Sequence, residues 1–283
     1  MSMIMKQRPL ILLVNDDGIY SPGLAALIDA VHNLGDLLIA APAKQQTSMG
    51  RSYPKTKDLG IIQEVELTID GDCFVAYAIS SSPAYAVAYA IKELATRKPD
   101  LCISGINYGE NLGLTATYSA TVGAAMQAAD FGIPALAISR PAELHEIQAS
   151  AYADLDWESA KCAIHYWSEH VLQNGMPFDS PLLNINVPDK PTTPNQYRFT
   201  RQGQQDLFIF DTAEKRDFSK PYQLPSRKLK RTTQFPCGTD LHAVCTEQIT
   251  SVTPMACDLT YVGFFKKTRE YSKENEYEHI DLH

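Results

Sequence analysis

The sequence predicts an α/β fold: a Rossmann-like, mostly parallel sheet with helices on both faces, followed by an extended C-terminal arm or hairpin region. Three observations predict it. Short aliphatic or β-rich runs recur at residues 10–14, 37–41, 101–104, 135–139 and 182–187, as strands buried on both faces require. Stretches with helical spacing of apolar residues separate them. After residue 203 the texture turns polar, with few apolar anchors.

The first strand, residues 10–14, runs into Asn15, Asp16, Asp17 and Gly18. Ser21 then reads as an N-cap with Pro22 at the first helical position, and Leu24, Leu27, Ile28, Val31 and Leu34 recur on one helical face. Gly35 closes that helix, and residues 37–41 form a second strand, completing a strand-helix-strand unit. Residues 61–79 alternate apolar and polar positions around Asp70-Gly71-Asp72, which predicts a hairpin. An amphipathic stretch at 84–96, a strand at 101–104, a small-residue helix at about 121–131 and a strand at 135–139 continue the alternation. A helix over 153–172 and a strand at 182–187, stopped by Pro188, follow.

The chain is therefore divided into a core at 1–203, an extended arm at 204–236 that calls for a partner subunit to order it, and a segment at 237–283 that returns to the core. The arm carries the basic cluster SRKLKR at 226–231, which reads as a solvated face, a partner for acids of a neighbouring subunit or a guide for polyphosphate. Asp240 to Thr246 and Ile249 to Thr253 resume helix-like and strand-like patterns.

Composition bounds the function. With 283 residues, 45% of them hydrophobic, the chain has enough apolar material for one large core. A formal net charge of -8 leaves no positive field for phosphate-driven binding of duplex nucleic acid. The first residues lack the apolar run of a secretory signal, and no stretch approaches the roughly 20 apolar residues of a membrane span. The six cysteines form no C-x-x-C pair, which points away from zinc knuckles and toward reduced thiols. The expectation is a cytoplasmic protein without membrane attachment.

The two adjacent carboxylates pose the chemical question. In an open parallel sheet, ligands sit beyond the carboxyl ends of the strands, where Asp16 and Asp17 fall. The loops APAKQQTSMG at 41–50 and GINYGENLGLTATYSAT at 105–121 follow other strands at the same end and are rich in amides and hydroxyls. Such an all-oxygen set suits a hard divalent cation, and a dication relieves the repulsion between carboxylates about 4 to 6 Å apart. From spacing alone, a turn that caps a helix explains the pair equally well.

Several blocks, taken together, carry a resemblance. VNDDGIYSPG at 14–23, the loop at 41–50, SGINYGENLG at 104–113, YSATVGAAM at 118–126, LLNINVP at 182–188, GTDLHAV at 238–244 and SVTPMACDLT at 251–260 resemble the SurE family of stationary-phase survival proteins, in order and spacing. The resemblance implies metal-dependent hydrolysis of nucleoside 5'- and 3'-monophosphates, with exopolyphosphatase action in some members. It implies one Mg²⁺ or Mn²⁺ per subunit, and arms exchanged in homodimers or homotetramers. Carried across position by position, the metal ligands fall on Asp16, Asp17, Thr47 and Asn107, with Asp16 or Asp17 as base. The phosphate-contacting turn falls on Ser119, Ala120 and Thr121, with Asn111 close by.

This chain departs from the family pattern at Ala43 and Lys44, at Thr47 in place of a serine, at Ser81 to Tyr85, where the nucleoside pocket is expected, and at Ala120 in place of a glycine. A weakened member that binds metal and nucleotide as a sensor is the alternative these departures raise. Other hydrolase and oxidoreductase signatures are missing: Asp16 and Asp17 are adjacent rather than Asp-x-Asp, and neither G-x-G-x-x-G after the first strand nor G-x-S-x-G occurs. Asn15 reads as a brace for the turn, His242 as a surface histidine or an acid reaching the site, and Lys44 as a loop lysine or a phosphate guide.

Overall fold

A computed structural model describes residues 7–142, 155–189, 196–212, 215–229 and 233–260. Its frame is a nine-stranded sheet in the order β3-β4-β2-β1-β5-β6-β7-β11-β8. Six central strands run parallel: β4 (Asp72–Ile79), β2 (Asp36–Pro42), β1 (Leu10–Val14), β5 (Leu101–Tyr108), β6 (Ala135–Arg140) and β7 (Leu182–Asn186). β3 (Ile62–Ile69) pairs antiparallel with β4 at one edge. At the other, β11 (Thr250–Met255) pairs antiparallel with β7 and parallel with β8 (Tyr197–Phe199).

The alternation of side chains along β1 explains the two-faced packing. Ile11 and Leu13 join one core with Leu24, Leu27, Ile28 and Val31 of α1 (Pro22–Val31) and with Ile164, Trp167 and Val171 of a long helix, α4 (Glu158–Asn174). Leu10, Leu12 and Val14 join the other, beneath Ala86 and Val87 of α2 (Pro83–Tyr89) and Val122, Ala125 and Ala128 of α3 (Ala120–Asp130). The small residues of α3 let it lie close to the sheet. Every residue of β1 is buried, which accounts for an aliphatic run without alternation.

The local signals act as the sequence implies. Ser21 accepts a hydrogen bond from the Leu24 amide at 3.2 Å, with Pro22 at the first helical position. The β3-β4 hairpin turns through Asp70 and Gly71, both at positive φ. The amphipathic stretch at 84–96 is α2 followed by a wider helical turn, Ala90–Leu94. The fifth strand extends beyond the predicted Ser104, to Tyr108, across a register irregularity between Ser104 and Asn107. Residues 153–154 of the predicted helix over 153–172 lie outside the described residues, as do 261–283 of the C-terminal segment.

The polar segment after residue 203 has more anchors than its composition implies. Leu207 and Phe235 bury themselves with Leu112, Leu241 and Val244 in a small third core. Between them β9 (Phe208–Phe210) and β10 (Ser226–Lys228) form an antiparallel ribbon. Lys228 of the basic cluster is no solvated residue: its Nζ donates to Oε2 of the buried Glu110 at 2.8 Å. Arg227 pairs with Asp211 inside the ribbon, while residues 230 and 231 lie outside the described residues.

Candidate active site

The chain leaves β1 toward α1 and β2 on one side, and β5 lies against β1 on the other, so the end of β1 is a topological switch point. Asp16 and Asp17 stand there, 3% and 2% exposed. Asn15 braces the turn beneath them: its Nδ2 donates to the Gly18 carbonyl and to Ser21 Oγ, and its Oδ1 accepts from the Gly18 amide. One asparagine thereby ties the strand end to the helix cap and fixes where the next two carboxylates begin.

Three loops converge on the pair. Thr121 Oγ1, in the first turn of α3, donates to Asp16 Oδ1 at 2.7 Å. The Tyr108 amide, at the end of β5, donates to Asp17 Oδ2 at 3.4 Å, and Gln45 Nε2 to Asp17 Oδ1 at 3.3 Å. The Gln46 amide donates to the Asp16 carbonyl at 2.6 Å, latching the loop that carries Thr47 onto the strand end. Asn107 follows the register irregularity of β5, a device that re-aims a side chain, and its Nδ2 donates to the Gly109 carbonyl at 2.8 Å. That bond engages the amide nitrogen and keeps Oδ1 for an acceptor role.

A cavity of about 850 Å³ opens over this point, within the range of roughly 300 to 1,000 Å³ usual for small-molecule sites. Its wall includes Asp16, Thr47, Asn107, Asn111, Ser119 and Ala120 from the predicted set. Asp17 and Thr121 are absent from that wall. Asp17 is held by backbone and Gln45, and the Thr121 hydroxyl is committed to Asp16 rather than presented to the cavity. Ser119 spends its hydroxyl as the N-cap of α3, accepting from the Val122 amide at 3.1 Å. The amides of Ala120 and Thr121 are those that a helix leaves without an intrahelical partner, and with the helix dipole they favour an anion.

Asn111 is the most heavily braced member. Its backbone N–H donates to Asn186 Oδ1 at 2.8 Å, and its Nδ2 donates to Ser139 Oγ at 2.7 Å. Its carbonyl accepts from Asn184 Nδ2 at 2.8 Å and Asn186 Nδ2 at 3.3 Å. These asparagines are the polar interruptions of LLNINV, so the pattern within that strand signalled a support for the site. Sequence reasoning missed this role, and also those of Gln45, Tyr108 and the ribbon residues Phe208 and Phe210 on the cavity wall.

The other candidates sit elsewhere. Lys44 and Tyr85 are not on the cavity wall. Tyr85 packs edge-on against Tyr53 and lies beside Tyr89. His242 Nε2 lies 3.6 Å from Cys237 Sγ, and its Nδ1 3.7 Å from Glu247 Oε1.

The donor chemistry fits a hard dication. Burial pushes the Asp16 carboxyl up to about 6, against the lowering effect of the Thr121 hydrogen bond. Burial, and then the charge of Asp16, hold Asp17 well above the usual carboxylate range. Two buried acids that disfavour one another's ionisation form an arrangement that a doubly charged ion relieves. Among the described residues, no three Asp, Glu, His or Cys side chains cluster. Neutral oxygens such as Asn107 Oδ1 and Thr47 Oγ1 would therefore complete a set that suits Mg²⁺ or Mn²⁺ better than zinc.

Comparisons with known proteins identify the family. The family model described as survival protein SurE matches residues 11–208. The chain is 38% identical over 259 residues to the 5'-nucleotidase SurE of Methanocella arvoryzae, covering 88% of this chain and 92% of that protein. It is likewise 38% identical over 275 residues to that of Methanospirillum hungatei, covering 95% and 94%. The crystal structure of SurE protein from Aquifex aeolicus superposes with a TM-score of 0.68 at 31% identity, over 93% of this chain and all of that one. With a switch-point acid pair braced by three loops and a matching family model across most of its length, this chain belongs to the SurE family.

Proposed function

We propose that the protein is a metal-dependent phosphomonoesterase that hydrolyses nucleoside 5'-monophosphates, and also 3'-monophosphates, to nucleoside and phosphate. Short polyphosphate is a further substrate of the same chemistry. The carrying observation is that one cavity holds both Asp16 and the N-terminus of α3. A phosphate bound between them meets carboxylate-based metal ligation on one side and helix amides on the other. The names of the family relatives, 5'-nucleotidase SurE, support the substrate class.

Asp16, Asp17, Thr47 and Asn107 would hold the cation. When bound, it supplies Lewis-acid polarisation of a phosphoryl oxygen. The Ala120 and Thr121 amides receive the remaining phosphate oxygens, where negative charge concentrates as the ester breaks. Asn111, immobilised by Ser139, Asn184 and Asn186, positions the phosphate from the opposite loop. Asp16, the acid on the cavity wall, accepts a proton from the attacking water. The water oxygen bonds to phosphorus, the P–O ester bond breaks, and the leaving oxygen takes a proton from solvent.

Turnover of AMP and GMP, with Mn²⁺ and with EDTA, tests this reading. Phosphate release that requires the metal and disappears in Asp16→Asn is the expected result. Nucleotide binding without release would instead favour a sensor. One cation per subunit, a cytoplasmic location and a homodimer or homotetramer formed through residues 204–236 belong to the same proposal. All six cysteines are free thiols, and no helix among the described residues is long and apolar enough to cross a membrane. Sedimentation of the full chain reads the assembly.

A further inference from the structure

The ribbon of β9 and β10 forms one wall of the cavity whose opposite side carries Asp16 and the α3 N-terminus. Phe208, Ile209, Phe210, Gln223 and Ser226 all line it. This wall is built rather than merely adjacent. Asp206, at the root of the ribbon, accepts on one oxygen, Oδ1, from Thr115 Oγ1 and Tyr118 Oη at 3.1 Å each, and from the Phe208 amide at 3.2 Å. The Leu114 amide donates to the Gln205 carbonyl at 2.9 Å. At the far strand of the ribbon, Lys228 reaches the buried Glu110, a residue of the loop between Asn107 and Asn111. Both strands are thus anchored on the loops that make the phosphate end of the site.

The ribbon presents aromatic surface that its own fold does not use. Phe210 is 75% exposed, at the cavity wall, whereas Phe208 is partly packed on the third core. Phe210 and Ile209 stand on the same cavity wall as the polar groups Asp16 and Ser119, so one cavity offers an apolar face beside a polar end, the pairing that a base linked to a phosphate matches. The position where the family pattern would set nucleoside preference, Ser81 to Tyr85, lies off this cavity, with Tyr85 packed against Tyr53 instead.

We infer that the ribbon is the base-recognition wall of the site, with Phe210 stacking on the base of a nucleoside monophosphate and Gln223 and Ser226 offering polar contacts beside it. The inference rests on the nucleotidase reading and deepens it. Stacking acts on the π-face that every base shares, so such a wall selects nucleotides over phosphate esters without an aromatic group, and discriminates weakly among bases. Selectivity then resides in the arm, in a segment remote in sequence from Asp16.

Steady-state kinetics with Mn²⁺, comparing AMP with ribose 5-phosphate, test it in the parent, Phe210→Ala, Phe210→Trp and Tyr85→Ala. Phe210→Ala is expected to raise KM for AMP by about 5- to 150-fold, the span of one lost base–aromatic stack, with kcat little changed. Its KM for ribose 5-phosphate should move by less than about two-fold on the same argument, since that ester has no ring to stack. Phe210→Trp should keep KM for AMP near the parent value, and Tyr85→Ala should leave both substrates unaffected. Equal losses on both substrates, or no loss on either, would overturn the assignment. A parent enzyme that hydrolyses ribose 5-phosphate but not AMP would overturn the nucleotidase reading together with it, and that failure shows in the parent alone.

Discussion

Thr121 Oγ1 donates to Asp16 Oδ1 at 2.7 Å, joining the first turn of α3 to the end of β1 across 105 positions of sequence. The bond fixes the orientation of a carboxylate that must otherwise choose between rotamers at the mouth of the cavity. It also opposes the upward push of burial on that carboxyl. Thr121 thus works on the site through Asp16.

Removal of this hydroxyl is a clean perturbation, because Thr121→Val keeps the shape of the side chain and the helix amide. Loss of a hydrogen bond that orients a ligand typically costs roughly 10- to 100-fold in metal affinity or activity. Thr121→Val should lose that much in Mn²⁺ affinity by calorimetry and in kcat/KM, while Thr121→Ser retains most of both. Equal loss in the serine variant would show that packing, rather than the hydroxyl, matters.

The buried acid pair makes the metal-free fold pH-dependent. Both carboxyls are raised in the folded chain from the ordinary value of 3.8, Asp16 to about 6 and Asp17 well above the usual range. A raised folded-state pKa means that the folded chain binds these protons more tightly than the unfolded chain does. The stabilisation is complete below the unfolded value and is lost as pH rises through the folded ones. Metal-free Asp17→Asn, with no charge to desolvate, should therefore melt above the parent near neutral pH, with the difference shrinking below the ordinary carboxylate value. Mn²⁺ should raise the melting temperature of the parent at neutral pH far more than that of the variant, which should also lose activity. Calorimetry across pH, with metal and with EDTA, reads both. A variant less stable than the metal-free parent at neutral pH would refute the account.

The order of strands and helices was legible because burial on both faces leaves its mark residue by residue, as in Leu10 to Val14. The caps were legible for the same local reason: Ser21 and Pro22 act within one turn of chain. What depends on distant partners was not. That Lys228 meets Glu110, 118 positions away, follows from the path of the ribbon, and composition alone assigns the lysine to solvent. Asp16, Thr47, Asn107, Asn111, Ser119 and Ala120 line one cavity, and each lies at the end of a strand legible in the sequence or in the segment that follows it. Sequence pattern could not show that Thr121 turns its hydroxyl to Asp16, because the bond requires α3 and β1 to be already packed.

The Lys228–Glu110 pair gives a stability test of the ribbon. Glu110 is 5% exposed, so Lys228→Met leaves a buried carboxylate without its cation. Breaking a fully buried pair costs about 3 to 5 kcal/mol, and the partial exposure of Lys228 places this case below that range. The double variant Lys228→Met/Glu110→Gln should recover most of the loss, because neither charge is then stranded. Denaturant unfolding of the parent, both singles and the double measures the coupling, and additive losses would show that the pair does not hold the ribbon.

Finally, α3 approaches the loop that carries Thr47 more closely than a side chain allows. A Cβ at Gly123 would stand 2.4 Å from the Gly50 carbonyl oxygen and 2.7 Å from the Arg51 nitrogen, both backbone atoms that cannot swing aside. The Gly50 amide meanwhile donates to the Tyr118 carbonyl at 3.1 Å, so the loop is already latched to the segment that leads into α3. Gly123→Ala must push helix and loop apart, an overpacking that typically costs about 1 to 3 kcal/mol. Because the same loop presents Thr47 to the cavity, the variant should lose Mn²⁺ affinity together with stability. Gly71→Ala supplies the contrast. Its Cβ would meet nothing within 4 Å, but its φ of +93° is strained for alanine, so it should lose stability and keep metal affinity. Metal titration of both variants well below their melting temperatures separates the two effects, since only a displaced loop alters the affinity of chains that are fully folded.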